Sequence, residues 1–153
     1  MNYDEVEILL VEDNQDDVEL TLHALKNEKV RNLIHVARDG EEALDFLFGR
    51  GDSKQRAYPS QLRLILLDLK LPKVNGLEVL REIKGNPRTK PIPVVVLTSS
   101  REERDMVESY RLGVNSYIQK PVDFSQFRES VKQLGLYWLV VNQPPPPEAF
   151  ESR

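Results

Sequence analysis

The protein has 153 residues, which suits one compact domain that buries a hydrophobic core without covalent staples. It contains no cysteine, which excludes disulfides, thiolate zinc sites and a cysteine nucleophile and favours a cytoplasmic location. With 25 acidic against 21 basic residues and a net charge of -4, we expect no nucleic-acid partner, because such proteins present a basic face. No apolar run reaches the ~20 residues of a membrane span, so we expect no membrane partner.

Five apolar runs alternate with helical patterns along the chain. The predicted strands span residues 8–11, 33–37, 64–67, 93–97 and 114–119. The first helix carries Val18, Leu22 and Leu25 on one face, a spacing typical of an amphipathic helix. Side chains that cap helix N-termini predict where the five helices begin, namely Asp16, Asp39, Asn75, Ser100 and Asp123.

This alternation predicts an α/β fold with a doubly wound, five-stranded parallel sheet and helices on both faces. The first, third and fourth strands are continuously apolar, as central strands covered on both faces are. The second and fifth strands are mixed, so we expect them at the edges. The flavodoxin-like strand order 2-1-3-4-5 satisfies these expectations.

Polar residues follow the strands at their carboxyl ends. Glu12 and Asp13 follow the first strand, Asp68 the third, and Lys120 the fifth, while Thr98 ends the fourth. In an open parallel sheet this edge binds ligands, so three acidic side chains should converge there. Mutually repelling carboxylates favour a cation, and hard oxygen ligands favour Mg²⁺. One carboxylate could then act as a nucleophile toward a phosphoryl group.

Each of these residues also has an ordinary structural interpretation. Asp13 and Asp68 could be capping or turn residues, and Thr98 could be an N-cap. A lone lysine such as Lys120 is most often a solvated surface residue, and Tyr117 could be an ordinary strand aromatic. Chance alone would not produce this ordered set of residues, and the set is what favours the functional interpretation.

Taken together, five sequence segments resemble the response-regulator receiver domain. They are residues 8–13 (ILLVED), 66–72 (LLDLKLP), Gly76, 96–100 (VLTSS) and 117–121 (YIQKP). The resemblance extends from about residue 7 to residue 134. It implies a single-domain, non-enzymatic protein of a two-component phosphorelay, which accepts a phosphoryl group from a histidine kinase and signals through protein contacts.

The resemblance also implies a role for each site residue. Asp68 matches the phosphoacceptor, and the metal ligands match Asp13, Glu12 through water, Asp68 and the backbone carbonyl of Lys70. Lys120 matches the lysine that contacts the phosphoryl oxygens. Thr98 and Tyr117 match the hydroxyl and aromatic side chains that switch conformation. In the family the peptide bond that corresponds to Lys120-Pro121 is cis.

The segment of residues 49–63 and the chain end from Trp138 resemble small stand-alone regulators that pair with bacterial phytochromes. We therefore expect a phytochrome among the candidate kinases and a receiver domain at residues 1–135. Residues 136–153 form a predicted C-terminal helix extension and proline-rich tail. An apolar stripe of Phe127, Val131, Leu134, Trp138 and Val141 predicts that the last helix is covered, either by its own domain or in a homodimer interface that involves Tyr137 and Trp138.

Three other functions fit the pattern less well. An aspartate-nucleophile phosphatase needs a second acid two residues after the nucleophile, where this chain has Lys70. A flavin carrier would want a hydroxyl-rich loop after the first strand, whereas residues 14–17 are acidic. A transcription factor would need an output domain, for which the body leaves no room in 153 residues.

Overall fold

The computed structural model describes residues 6–25, 34–50, 61–121 and 123–150. Five strands alternate with five helices, in the order β1 (Ile8–Val11), α1 (Gln15–Ala24), β2 (Ile34–Ala37), α2 (Gly40–Phe48), β3 (Leu64–Leu67), α3 (Gly76–Gly85), β4 (Val94–Thr98), α4 (Glu103–Leu112), β5 (Ser116–Gln119) and α5 (Phe124–Leu136). The predicted strands agree with these within two residues, apart from Leu33, which lies outside the described residues.

The five strands form one parallel sheet in the order β2-β1-β3-β4-β5, which confirms the predicted fold class and the two predicted edge strands. The three central strands are buried at every position, whereas β2 and β5 are mostly half-buried. Continuous apolar runs become central strands because helices cover both of their faces.

Alternate residues of each strand point to opposite faces and build two apolar clusters. Leu9 and Val11 pack with α2 and α3 on one face. Ile8 and Leu10 pack with α1 and α5 on the other face. No helix of the described residues is long and apolar enough to cross a membrane.

Three of the five predicted helix caps are correct. Asp39, Asn75 and Asp123 each accept a hydrogen bond from a backbone N–H in the first turn of their helix. The prediction at Asp16 is wrong, because Asn14 caps α1 by accepting from the Asp17 amide. The prediction at Ser100 is also wrong, because its hydroxyl donates to Asp105 and α4 begins without a side-chain cap.

The C-terminal segment departs from the predicted stripe after α5. A π-helical turn, Tyr137–Val141, follows directly and is closed by an Asn142 N–H to Tyr137 C=O bond of 2.7 Å. A hydrogen bond that spans five residues, instead of four, shifts the chain out of the α-helical register, and Val141 is 58% exposed. The proline run ends in a 3₁₀ turn, Pro147–Phe150, and Phe150 packs against the cluster that holds Leu9.

Candidate functional site: an acidic phosphoryl-transfer pocket

The pocket is assembled by backbone hydrogen bonds just beyond the strand ends. The Asp68 amide donates to the Val11 carbonyl at 3.0 Å, and the Lys120 amide donates to the Thr98 carbonyl at 2.7 Å. These bonds extend the parallel ladders by one residue. They hold side chains from distant parts of the chain at one edge of the sheet, as the sequence pattern predicts.

Three carboxylates converge at this edge. Glu12, Asp13 and Asp68 each place an oxygen within 4.8 Å of the other two. Glu12 and Asp68 are buried, whereas Asp13 is exposed and leaves the cluster open to solvent. Hard oxygen donors in a solvent-accessible cluster fit Mg²⁺, which keeps several of its waters when a protein binds it. The three carboxylates are therefore chemically suited to bind the predicted Mg²⁺.

Burial and repulsion both act on Glu12. The pKa of Glu12 is raised to about 7, chiefly by burial and next by the neighbouring Asp68 charge, although the Lys120 ammonium opposes both effects. Two close carboxylates cannot both ionise freely in a buried site. A bound cation or the ammonium group is therefore needed to keep this cluster charged.

Lys120 lies among the acids. Its Nζ lies 2.5 Å from Glu12, 2.8 Å from Asp17 and 3.2 Å from Asp68, and only 8% of its side chain is exposed. Burial by itself lowers the pKa of Lys120, but hydrogen bonds to Asp17 and Glu12 outweigh it and raise that pKa above its ordinary value. Lys120 is therefore a permanent cation of the pocket and not the solvated surface lysine of the ordinary interpretation.

Asp68 is held by three donors. The Thr98 hydroxyl donates to Asp68 Oδ1 at 2.8 Å, and the Lys70 backbone amide donates to the same oxygen at 3.2 Å. Its Oδ2 faces Lys120. Thr98 is fully buried and accepts a bond of 3.2 Å from the Ser100 amide, which fixes its hydroxyl. The Lys70 side chain is exposed, so this residue meets the pocket through its backbone.

Comparison with known proteins identifies this arrangement. The model of the response regulator receiver domain family matches residues 8–132. The chain belongs to this family. The response regulator Rcp1 of Synechocystis sp. is 43% identical over 132 residues, which cover 86% of this chain and 88% of that protein.

Two solved receiver structures are similar over nearly their whole length. The phosphorylated cyanobacterial phytochrome response regulator RcpA is 43% identical with a TM-score of 0.82, and the match covers 93% of this chain and 99% of that one. The Mn²⁺-bound form of response regulator Rcp1 is 40% identical with a TM-score of 0.83, with coverage of 92% and 99%. As a member of the receiver family, the present chain accepts a phosphoryl group from a histidine kinase and uses Mg²⁺ as its cofactor.

The receiver's β5 carries the predicted switch aromatic. Tyr117 is half-buried, and its hydroxyl is buried with no hydrogen-bond partner in the described part of the chain. Burial raises the pKa of the Tyr117 hydroxyl. The described residues contain no cis peptide bond, so the cis Lys120-Pro121 bond that the resemblance implied is not present in this structure.

Two features of the receiver escaped the sequence analysis. Asp17 enters the pocket from the first turn of α1, where acidic residues ordinarily indicate only a favourable helix dipole interaction. The Ser100 hydroxyl donates to Asp105 of α4 at 2.6 Å. The two residues are five positions apart in sequence, a spacing that does not by itself predict a hydrogen bond. Both contacts depend on tertiary geometry.

The predicted interface residues occupy different environments. Trp138 is half-buried against its own domain, in the cluster of α1 and α5, whereas Tyr137 is 49% exposed. Their rings contact edge to face at 5.0 Å. The Arg63 guanidinium donates to the Leu139 carbonyl at 2.9 Å and ties the π-helical turn to the residue before β3.

Proposed function

We propose that Asp68 is the phosphoacceptor of this response regulator. The observation that carries the proposal is the convergence of donors and acids on one buried carboxylate from four strand ends. A carboxylate oxygen of Asp68 attacks the phosphorus atom of the phosphohistidine, forming a P–O bond as the P–N bond breaks. The electrons of the broken bond stay on the imidazole, which takes up a proton.

The residues around Asp68 have two proposed roles, namely binding of the cation and stabilisation of the transferred phosphoryl oxygens. Glu12, Asp13, Asp68 and the Lys70 carbonyl are the proposed Mg²⁺ ligands. These residues would hold Mg²⁺, which would supply positive charge to offset that of the transferred oxygens and of the acids. Lys120 donates to a phosphoryl oxygen from the position in which it now donates to Asp68 Oδ2. Fixed donors of this kind stabilise the charge that develops during transfer.

The proposed switch passes through Thr98 and Tyr117. The Thr98 hydroxyl now donates to Asp68 Oδ1, and a phosphoryl group on Asp68 offers it stronger acceptors. Moving that hydroxyl changes the space beside β5, where the Tyr117 hydroxyl lies buried without a partner among the described residues. Phosphorylation therefore biases an equilibrium between two conformations, and the altered surface carries the signal to other proteins.

The proposed phosphodonor is a phytochrome histidine kinase, which the relatives with phytochrome in their names support. Phosphotransfer from a panel of autophosphorylated kinases, with Asp68→Asn as the blank, tests both proposals. We expect a phytochrome kinase to transfer its phosphoryl group fastest and only to the wild type. Faster transfer from a kinase of another class would overturn the choice of partner, and transfer to Asp68→Asn would overturn the acceptor.

The proposed assembly is a homodimer. Four apolar side chains near the end of α5 are exposed, namely Leu136 at 60%, Tyr137 at 49%, Val140 at 71% and Val141 at 58%. Residues 1–135 would then carry the phosphoryl chemistry and residues 136–153 the dimer contact. The cytoplasmic location and the lack of nucleic-acid and membrane partners stay predictions.

The molar mass in solution tests the dimer. Val140→Glu places a charge in the centre of the apolar group and should convert a dimer to a monomer. Gln143→Glu adds the same charge at an exposed polar position three residues on and should leave the mass unchanged. A wild-type monomer at high concentration would overturn the proposal, and so would a dimer that Val140→Glu leaves intact.

A further inference from the structure

A fourth acidic residue reaches the pocket from α1. Asp17 Oδ2 lies 2.8 Å from Lys120 Nζ, across 103 residues of sequence, and its side chain is 26% exposed. The backbone of Asp17 is fixed as well, because its amide donates to the Asn14 side chain that caps the helix. This carboxylate lies outside the cluster of three acids that fits the cation.

Lys120 uses all of its donors in this pocket. An ammonium group has three N–H donors, and here they face Glu12, Asp17 and Asp68. Two of these partners, Glu12 and Asp68, are the carboxylates assigned to the cation and the phosphoryl group. Only Asp17 has no other assignment in the pocket.

A lysine needs such a partner to be placed precisely. Its ammonium sits on a flexible four-carbon stem, and displacing a catalytic group by about 1 Å costs up to ~100-fold in rate. We propose that Asp17 is a positioning residue for phosphoryl transfer, which holds the Lys120 ammonium beside Asp68 when Glu12 and Asp68 engage other ligands. This inference rests on the proposed roles of Asp68 and Lys120.

The test compares Asp17→Asn with Asp16→Asn. The two variants lose the same charge from adjacent positions of one helix turn, but Asp16 is exposed and has no assigned role in the pocket. Acetyl phosphate serves as the phosphodonor, so that docking of a kinase on α1 does not enter the measurement. Calorimetric titration with Mg²⁺ alone provides a readout that is independent of phosphorylation.

We expect Asp17→Asn to lower the maximal phosphorylation rate about tenfold, at saturating Mg²⁺ and acetyl phosphate, with a larger loss for Asp17→Ala. Asp17→Glu keeps the charge and should recover part of the rate. Both Asn variants should weaken Mg²⁺ binding only slightly, because each removes a charge that lies outside the cluster of three acids.

Two results would overturn the proposal. One is a maximal rate for Asp17→Asn and Asp17→Ala within twofold of Asp16→Asn. The other is a rate loss that higher Mg²⁺ or acetyl phosphate concentrations restore, which would place the effect of Asp17 in ligand binding. Failure of the acceptor assignment has a different signature in the same assay, since Asp68→Asn would then be labelled.

Discussion

Gly76, the first residue of α3, provides a direct test of how the fold positions the phosphoacceptor. It is buried, and its amide donates to the Leu69 carbonyl at 2.9 Å. A Cβ at this position would lie 2.3 Å from the Asp68 carbonyl oxygen and 2.4 Å from Leu69 Cα. The Gly76→Ala substitution therefore drives a methyl group into the backbone of Asp68 itself.

The cost follows from these distances. Ordinary van der Waals contact begins near 3.4 Å, so α3 and the segment after β3 must separate by about 1 Å. Overpacking of this kind costs about 1 to 3 kcal/mol. The gain in helix propensity from glycine to alanine is at most about 1 kcal/mol and offsets only part of it. A 1 Å displacement of Asp68 from its donors should also slow phosphorylation by ~10- to 100-fold.

Urea denaturation and the acetyl phosphate labelling rate measure the two effects. Gly85→Ala is the matched control, because a Cβ at the last residue of the same helix meets nothing within 4 Å. We expect this control to be as stable as the wild type or up to about 1 kcal/mol more stable, with an unchanged labelling rate.

The reasoning would be refuted if Gly76→Ala kept both the wild-type free energy of unfolding and the wild-type labelling rate. It would also be refuted if Gly85→Ala lost as much free energy of unfolding and labelling rate as Gly76→Ala. Such a loss would reflect a general effect of substitutions in α3 and not the close approach of α3 to Asp68.

Two further predictions concern charge and stability. Burial lowers the pKa of His35, whose ring stacks on Phe46 at 3.9 Å, so the unfolded chain binds a proton before the folded one as the pH falls below 6.5. The free energy of unfolding should therefore decrease from pH 7 to pH 5 more steeply for the wild type than for His35→Gln, and parallel urea-denaturation curves would contradict this. Lys120→Met leaves Glu12, Asp17 and Asp68 without their ammonium partner and should lower the free energy of unfolding in EDTA by about 3 kcal/mol. Mg²⁺ should stabilise this variant more than it stabilises the wild type, and an equal gain for both proteins would show that the ammonium does not neutralise the acids.

The strand order was predictable because the pattern of each strand depends on its own environment. The apolar runs at β1, β3 and β4 require cover on both faces, whereas Ser116 and Gln119 in β5 tolerate an edge. Once the order is known, the carboxyl ends of adjacent parallel strands must meet. This is why Glu12, Asp13 and Asp68 could be brought together without any knowledge of side-chain geometry.

Features that depend on competing local contacts were not predictable. Asp16 and Asn14 are both good capping residues, and the sequence alone does not distinguish them, whereas in the structure Asn14 caps α1. The π-helical turn has no signal in the apolar stripe, so the shift of Val141 out of the α-helical register was not predictable. The contact of Asp17 with the pocket was not predictable either, because its partner Lys120 is 103 residues away in sequence.

The most direct test of the central claim is the intact mass of the protein after incubation with acetyl phosphate. The wild type and Asp16→Asn should each gain one phosphoryl group when Mg²⁺ is present and none when EDTA removes it. Asp68→Asn should gain none under either condition. A phosphoryl group on Asp68→Asn, or labelling of the wild type that persists in EDTA, would contradict a magnesium-dependent acceptor at Asp68.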